Sequence, residues 1–299
     1  MFSSLYYAGL RASGVTAIAR ALRDGGLVVC YHNVVRENIG SGFRGTHLPF
    51  ASFSRQIQWL AGHYDVVSLD EIGRRLEARK SLKHLAAITF DDGYAGVFEH
   101  AWPLLRGMGL PATVFIPTGL MNRDVGFWWD HPSVSGATSD ADRQRMLFEL
   151  RGDADAIAAA CFDKSLPVVP ATHRPVDWAT VARAATEGLA LGVHTTTHRN
   201  LARLTDGELD GELVESRDRL ERETGVRSNT FAYPYGLFDA RVKRAVQESG
   251  YRLAVGLEPG LNTNAVDPWA LRRVNVPASI SDAAFEAWLA VLQPTFRRS

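Results

Sequence analysis

Three short stretches place reactive side chains at the ends of apolar runs. Residues 86–96, AAITFDDGYAG, carry a strand-like run that stops on two adjacent aspartates, Asp91 and Asp92, followed by Gly93 and Tyr94. Neighbouring carboxylates at the end of a buried strand repel one another and resist removal from water. A pair in that position needs a compensating charge. Residues 194–198, HTTTH, hold two imidazoles after another apolar run, 189–193. Three successive threonines disfavour a helix, and a tight loop would bring His194 and His198 to one side. A third run, LVVCY, ends on His32.

Two imidazoles and one carboxylate make a three-ligand set for a divalent cation, with positions left for water or substrate. The cation would offset the repulsion between the aspartates, so that one can ligate while the other stays free as a base. Taken alone, DDG also fits a solvated turn, and HxxxH also fits two surface histidines. Together, at strand ends where parallel α/β proteins collect catalytic groups, they point to a metal centre with a spare carboxylate beside it. The facial triad of an iron oxygenase uses the same three ligands but leaves the second aspartate without a task.

The elements that must position these groups alternate along the chain. Strand-like runs at 27–32, 64–68, 86–90, 111–117, 189–194, 229–234 and around 251–257 are interleaved with amphipathic helical patterns at 50–63, 69–78, 176–188, 205–225 and 239–250. Thr205 and Glu208 form a capping box for the fourth of these helices. LRRVNV and DAAFEAWLAVL complete the series. Such alternation predicts a parallel sheet, open or closed into a barrel, within one domain spanning 1–299. Residues 118–175 break the rhythm and read as an insertion on one rim. In that segment, FWWD (127–130) either stacks a sugar ring or packs the insertion.

Bulk properties narrow the partners. Lys+Arg and Asp+Glu are equal at 33 each, giving no global case for nucleic acid. Two isolated cysteines, Cys30 and Cys161, read as reduced thiols. No segment has the length of a membrane span, and the first 25 residues do not read as a secretory signal. They read instead as an amphipathic helix, with Leu5, Val15, Ile18 and Leu22 packed on the domain and peripheral membrane contact as the alternative. A cytoplasmic location, with membrane association as the alternative, is the resulting expectation. The oligomeric state is left open. His47, His63, His84, His100, His131 and His173 have no partner pattern and read as surface or helix residues.

TFDDGY, then HTTTH about a hundred residues on, then FAYPYG, resembles the NodB-homology polysaccharide deacetylases, carbohydrate esterase family four. The similarity runs from roughly 27 to 280. It implies a distorted (β/α) barrel of about seven units and removal of N-acetyl groups from an amino sugar. The resemblance makes Asp91 the catalytic base and Asp92, His194 and His198 the metal ligands. Zinc is the first expectation for the ion, with cobalt, nickel or iron(II) as alternatives. It further implies that Tyr235 helps to hold the oxyanion through its backbone N–H. Ala232 stands where the family carries an arginine that orients the base, and Arg272 and Arg273 are the candidates to replace it. No histidine follows His198, so the family's late acid histidine is missing. His32 takes that role if the chain is similar to the circularly permuted poly-N-acetylglucosamine deacetylases. O-acetyl ester or formamide hydrolysis on a sugar, and a sugar-binding protein without activity, are the remaining readings.

Overall fold

The computed structural model describes residues 2–36, 45–135, 139–162 and 169–292. Its main sheet contains β1 (Leu27–Tyr31), β4 (Asp65–Val66), β5 (Leu85–Phe90), β6 (Thr113–Ile116), β7 (Ala190–Val193), β8 (Thr230–Ala232), β9 (Leu253–Val255) and β10 (Val274–Asn275). All its pairings are parallel, in the order β10-β1-β5-β6-β7-β8-β9, with β4 lying along the start of β5. Leu271 bridges Val255 of β9, and three residues later Val274 pairs with Val29 of β1. One segment therefore touches both ends of the sheet and curls it into a distorted barrel.

Strands β1, β5 and β6 are buried at every position. They lack polar alternation because both faces are covered. Val28, Ala87, Phe115, Ala232, Val255 and Leu271 pack together on one face, with Leu69, Ile72 and Leu76 of helix Leu69–Glu77 closing over them. On the other face, Leu27, Val29, Ile88, Phe90, Val114 and Ile116 join a larger cluster built with the remaining helices. The polar strand ends lie beyond these apolar layers, at one mouth of the barrel.

Two features depart from the sequence expectation. Residues 2–22 form two helices, Phe2–Ala12 and Val15–Leu22, broken at Gly14, where φ is 75°. Leu5, Val15, Ile18 and Leu22 are exposed at 69, 41, 60 and 79%, so the apolar stripe faces outward; the inward contacts come from Tyr7, Leu10 and Thr16. Periodicity marks an apolar face but not the direction it takes.

The second departure is a small two-stranded parallel sheet of β2 (Asn33–Val35) and β3 (His47–Pro49). It ties segment 118–175 to the barrel. The Asn33 amide nitrogen donates to the Thr172 carbonyl and to His47 Nδ1, at 2.8 and 3.0 Å. His47 Nε2 then donates to Asp130 Oδ1 at 2.9 Å, while the Tyr94 hydroxyl donates to Asp130 Oδ2 at 2.6 Å. His47 and His173 are buried with their rings 4.0 Å apart, so neither is a surface histidine.

Burial, reinforced by neighbouring His47, lowers the His173 pKa from 6.5 to about 4. The unfolded chain then binds the proton more tightly than the folded one. The stability tied to this group is complete above pH 6.5 and is lost as pH falls toward 4. Urea midpoints measured across that window should fall more steeply for the wild type than for His173→Asn. Equal slopes would contradict the assignment.

Candidate metal centre and active site

At the end of β5 the chain turns through two left-handed residues, Asp92 (φ 72°) and Gly93 (φ 65°). A side chain at Gly93 would also press on Ile116 and Met121, at 3.1 and 3.3 Å, so glycine is favoured there. The turn sends the neighbouring carboxylates to different partners. Both aspartates are buried.

Asp92 faces the two histidines. Its Oδ1 lies 3.5 Å from His194 Nε2 and 3.2 Å from His198 Nε2, and the two Nε2 atoms are 3.1 Å apart. His194 Nδ1 donates to the Ala232 carbonyl at 2.7 Å, which leaves its Nε2 lone pair turned toward Asp92. Asp92 Oδ1 is buried without a hydrogen-bond partner. Burial pushes the Asp92 carboxyl upward, but the two imidazoles, whenever they carry a proton on the facing nitrogen, hold it well below the ordinary carboxylate range. An anionic oxygen and two imidazole nitrogens at these separations fit one divalent ion with ligand bonds of about 2.0–2.2 Å.

Asp91 faces an arginine. Arg273 Nη1 and Nη2 donate to its two oxygens at 2.7 and 2.6 Å, a bidentate pair in which the arginine side chain is fully buried. Arg273 Nε donates to the Gly256 carbonyl at 2.7 Å, which fixes the fork. Burial would raise the Asp91 carboxyl; the Arg273 guanidinium, then His194, holds it below its usual value. Of the two arginine candidates, Arg273 makes this pair, while Arg272 reaches out to Glu258. The buried Cys30 thiol, pushed well upward by burial, adds a weak hydrogen bond to Asp91 Oδ2 at 3.6 Å.

These groups open onto a cavity of about 400 Å³, which His32, Trp128, Trp129 and Tyr235 also line. The Asp91 N–H bonds the Tyr31 carbonyl, and this pairing brings His32 beside Asp91; donor atoms of Cys30, His32 and Asp91 lie within 4.8 Å of one another. Tyr235 sits at φ 58° in the turn after β8, its ring 4.6 Å from that of His198. The tryptophans of FWWD pack the insertion, and they face the cavity. Trp128 Nε1 donates to the Tyr235 hydroxyl at 3.2 Å, Trp129 Nε1 to the Tyr94 hydroxyl at 2.7 Å, and the Trp129 ring lies 4.6 Å from His198.

The family model for polysaccharide deacetylases matches residues 78–254, more than half of the chain. The chain belongs to the polysaccharide deacetylase family. The matched span holds Asp91, Asp92, His194, His198 and Tyr235, while His32 and Arg273 lie outside it. Among individual proteins, this deacetylase is 22% identical to YxkH of Bacillus subtilis (strain 168) over 264 residues, covering 88% of this chain and 75% of that one. It is 25% identical to the poly-beta-1,6-N-acetyl-D-glucosamine N-deacetylase of Escherichia coli (strain K12) over 261 residues, 82% of this chain but only 36% of that protein. The solved structure of Streptococcus pyogenes deacetylase PplD, in complex with acetate, shares the fold with a TM-score of 0.64 at 17% identity, covering 89% of this chain and 98% of the other.

Removing one partner of a buried pair leaves the other charge uncompensated, typically at a cost of about 3–5 kcal/mol. Arg273→Gln should therefore lose stability on that scale at neutral pH. Adding Asp91→Asn should recover most of the loss, because the stranded charge is gone. Chemical denaturation of the four proteins in this cycle measures the coupling. Additive effects would mean that the pair does not act as a unit.

Proposed function

We propose that this deacetylase hydrolyses the acetamide of an N-acetylated amino sugar in a polysaccharide or glycan precursor. The reading rests chiefly on one observation: two adjacent buried aspartates share a cavity but not a partner. Asp92 joins a three-donor set, and Asp91 stays ionised beside it without joining that set. Asp92, His194 and His198 would hold the cation, with zinc the first expectation from an oxygen and two imidazoles. When bound, it supplies Lewis acidity, acidifying water and polarising a carbonyl.

The remaining roles belong to the chain. Asp91, fixed by Arg273 and kept anionic, takes the proton of the attacking water. The Tyr235 backbone N–H donates to the carbonyl oxygen as negative charge grows on it. His32, on the Asp91 side of the cavity, gives a proton to the departing amine. Trp128 and Trp129 form an aromatic wall against which an apolar sugar face can lie. Membership of the family sets aside the iron-oxygenase reading. The E. coli relative's name makes β-1,6-linked N-acetylglucosamine oligomers the first substrate to try.

The test is acetate release by zinc-loaded enzyme from N-acetylated mono- and oligosaccharides, with O-acetylated and N-formylated analogues alongside. Asp91→Asn and His32→Gln should each lower the rate by ~10²–10⁴. Chelation should abolish turnover and added metal should restore it. Full activity of the Asp91→Asn protein would overturn the assignment of the base. Preference for an O-acetyl or N-formyl substrate would reassign the reaction.

A further inference from the structure

The loop 194–198 has no regular structure, so each of its buried backbone groups needs a partner from elsewhere. The His194 N–H bonds the Ile116 carbonyl at 2.9 Å. The carbonyls of Thr195 and Thr196 accept from the N–H groups of Thr118 and Gly119, at 2.9 and 2.7 Å. Here only glycine fits, since a Cβ at Gly119 would lie 2.5 Å from the Thr196 carbonyl oxygen. The His198 N–H turns back to Thr195 Oγ1 at 2.9 Å.

Two further N–H groups, of Thr196 and Thr197, converge on a single oxygen, Glu212 Oε2, at 2.8 and 2.9 Å. Glu212 Oε1 accepts from the Thr197 hydroxyl and from Arg199 Nε and Nη2, the last two at 3.2 and 3.1 Å. The carboxylate is buried, 2% exposed. It belongs to Gly211–Glu215, one widened turn within the helical stretch 206–224, whose Gly211 carbonyl accepts from the Thr196 hydroxyl at 3.0 Å.

This anchorage opposes a specific strain. Thr195 and His198 stand at φ 68° and 60°, a left-handed conformation that costs a non-glycine residue about 1–3 kcal/mol. In that conformation two successive N–H groups form a concavity suited to an anion. The chain supplies its own anion.

We propose that Glu212 is a positioning residue for the metal centre. Its buried carboxylate holds the loop in the strained form that sets His194 and His198 around Asp92. The proposal rests on the reading of Asp92, His194 and His198 as the ligand set, so the experiment separates the two. Zn2+ is titrated calorimetrically into the metal-stripped full chain, and Co2+ binding is followed by its visible absorption. Glu212→Gln retains one oxygen for the backbone donors but turns an amide N–H2 toward Arg199. It should weaken Zn2+ binding by about 10–100-fold and alter the Co2+ spectrum. Circular dichroism checks that the stripped variant is folded. Should the glutamine protein not fold, Glu212→Asp, whose carboxylate is drawn back by one methylene, carries the same expectation. A folded variant with wild-type Zn2+ affinity and Co2+ spectrum would overturn the positioning role. Wild-type protein that binds neither ion would overturn the ligand set beneath it.

Discussion

Two carboxylates on consecutive residues, both removed from water, set the terms for everything around them. Left together they would repel, and one would take up a proton. The left-handed turn at Asp92 and Gly93 separates them, and each meets its own partners. Asp91 receives the guanidinium of Arg273; Asp92 receives two imidazoles whose lone pairs suit a cation. The separation creates a division of labour. In the proposed function, one aspartate ligates the cation, and the other keeps its charge and stays available to a proton.

The barrel serves this arrangement from both ends of its sheet. Residues 271–275 close the curl between β9 and β1, and Arg273 lies in the middle of that closing segment. The residue that neutralises Asp91 is thus held by the same contacts that complete the barrel. From the opposite side, the chain between β6 and β7 brings Trp128, Trp129 and Asp130; hydrogen bonds through Tyr94 fix that wall to the loop bearing the aspartates, and His47 ties it to β3. Tyr94 is only two residues from Asp92, so wall and candidate metal site share one short piece of backbone.

What could be read from the sequence was what lies close together along it. The buried strands, the DDG turn and the HTTTH loop are local patterns, and each stands where its pattern placed it. Long-range partnerships left no such mark. Arg273 lies 182 positions from Asp91, and nothing in ALRRVNV distinguishes it from Arg272 except which face of the strand it takes. Glu212 resembles any acidic residue of a surface helix until the loop above it is in view. His47 and Asp130, 83 positions apart, were invisible for the same reason. The N-terminal stripe shows the opposite error. Its period was plain, but the apolar side turned toward solvent.

The most direct test of this division of labour is anomalous diffraction from zinc-loaded crystals of the wild-type chain. One zinc peak should lie within bonding distance of Asp92 Oδ1 and of both Nε2 atoms of His194 and His198, with Asp91 still held in its two-pronged contact with Arg273. A peak bound by Asp91 instead, or an Arg273 displaced from it by the ion, would contradict the account.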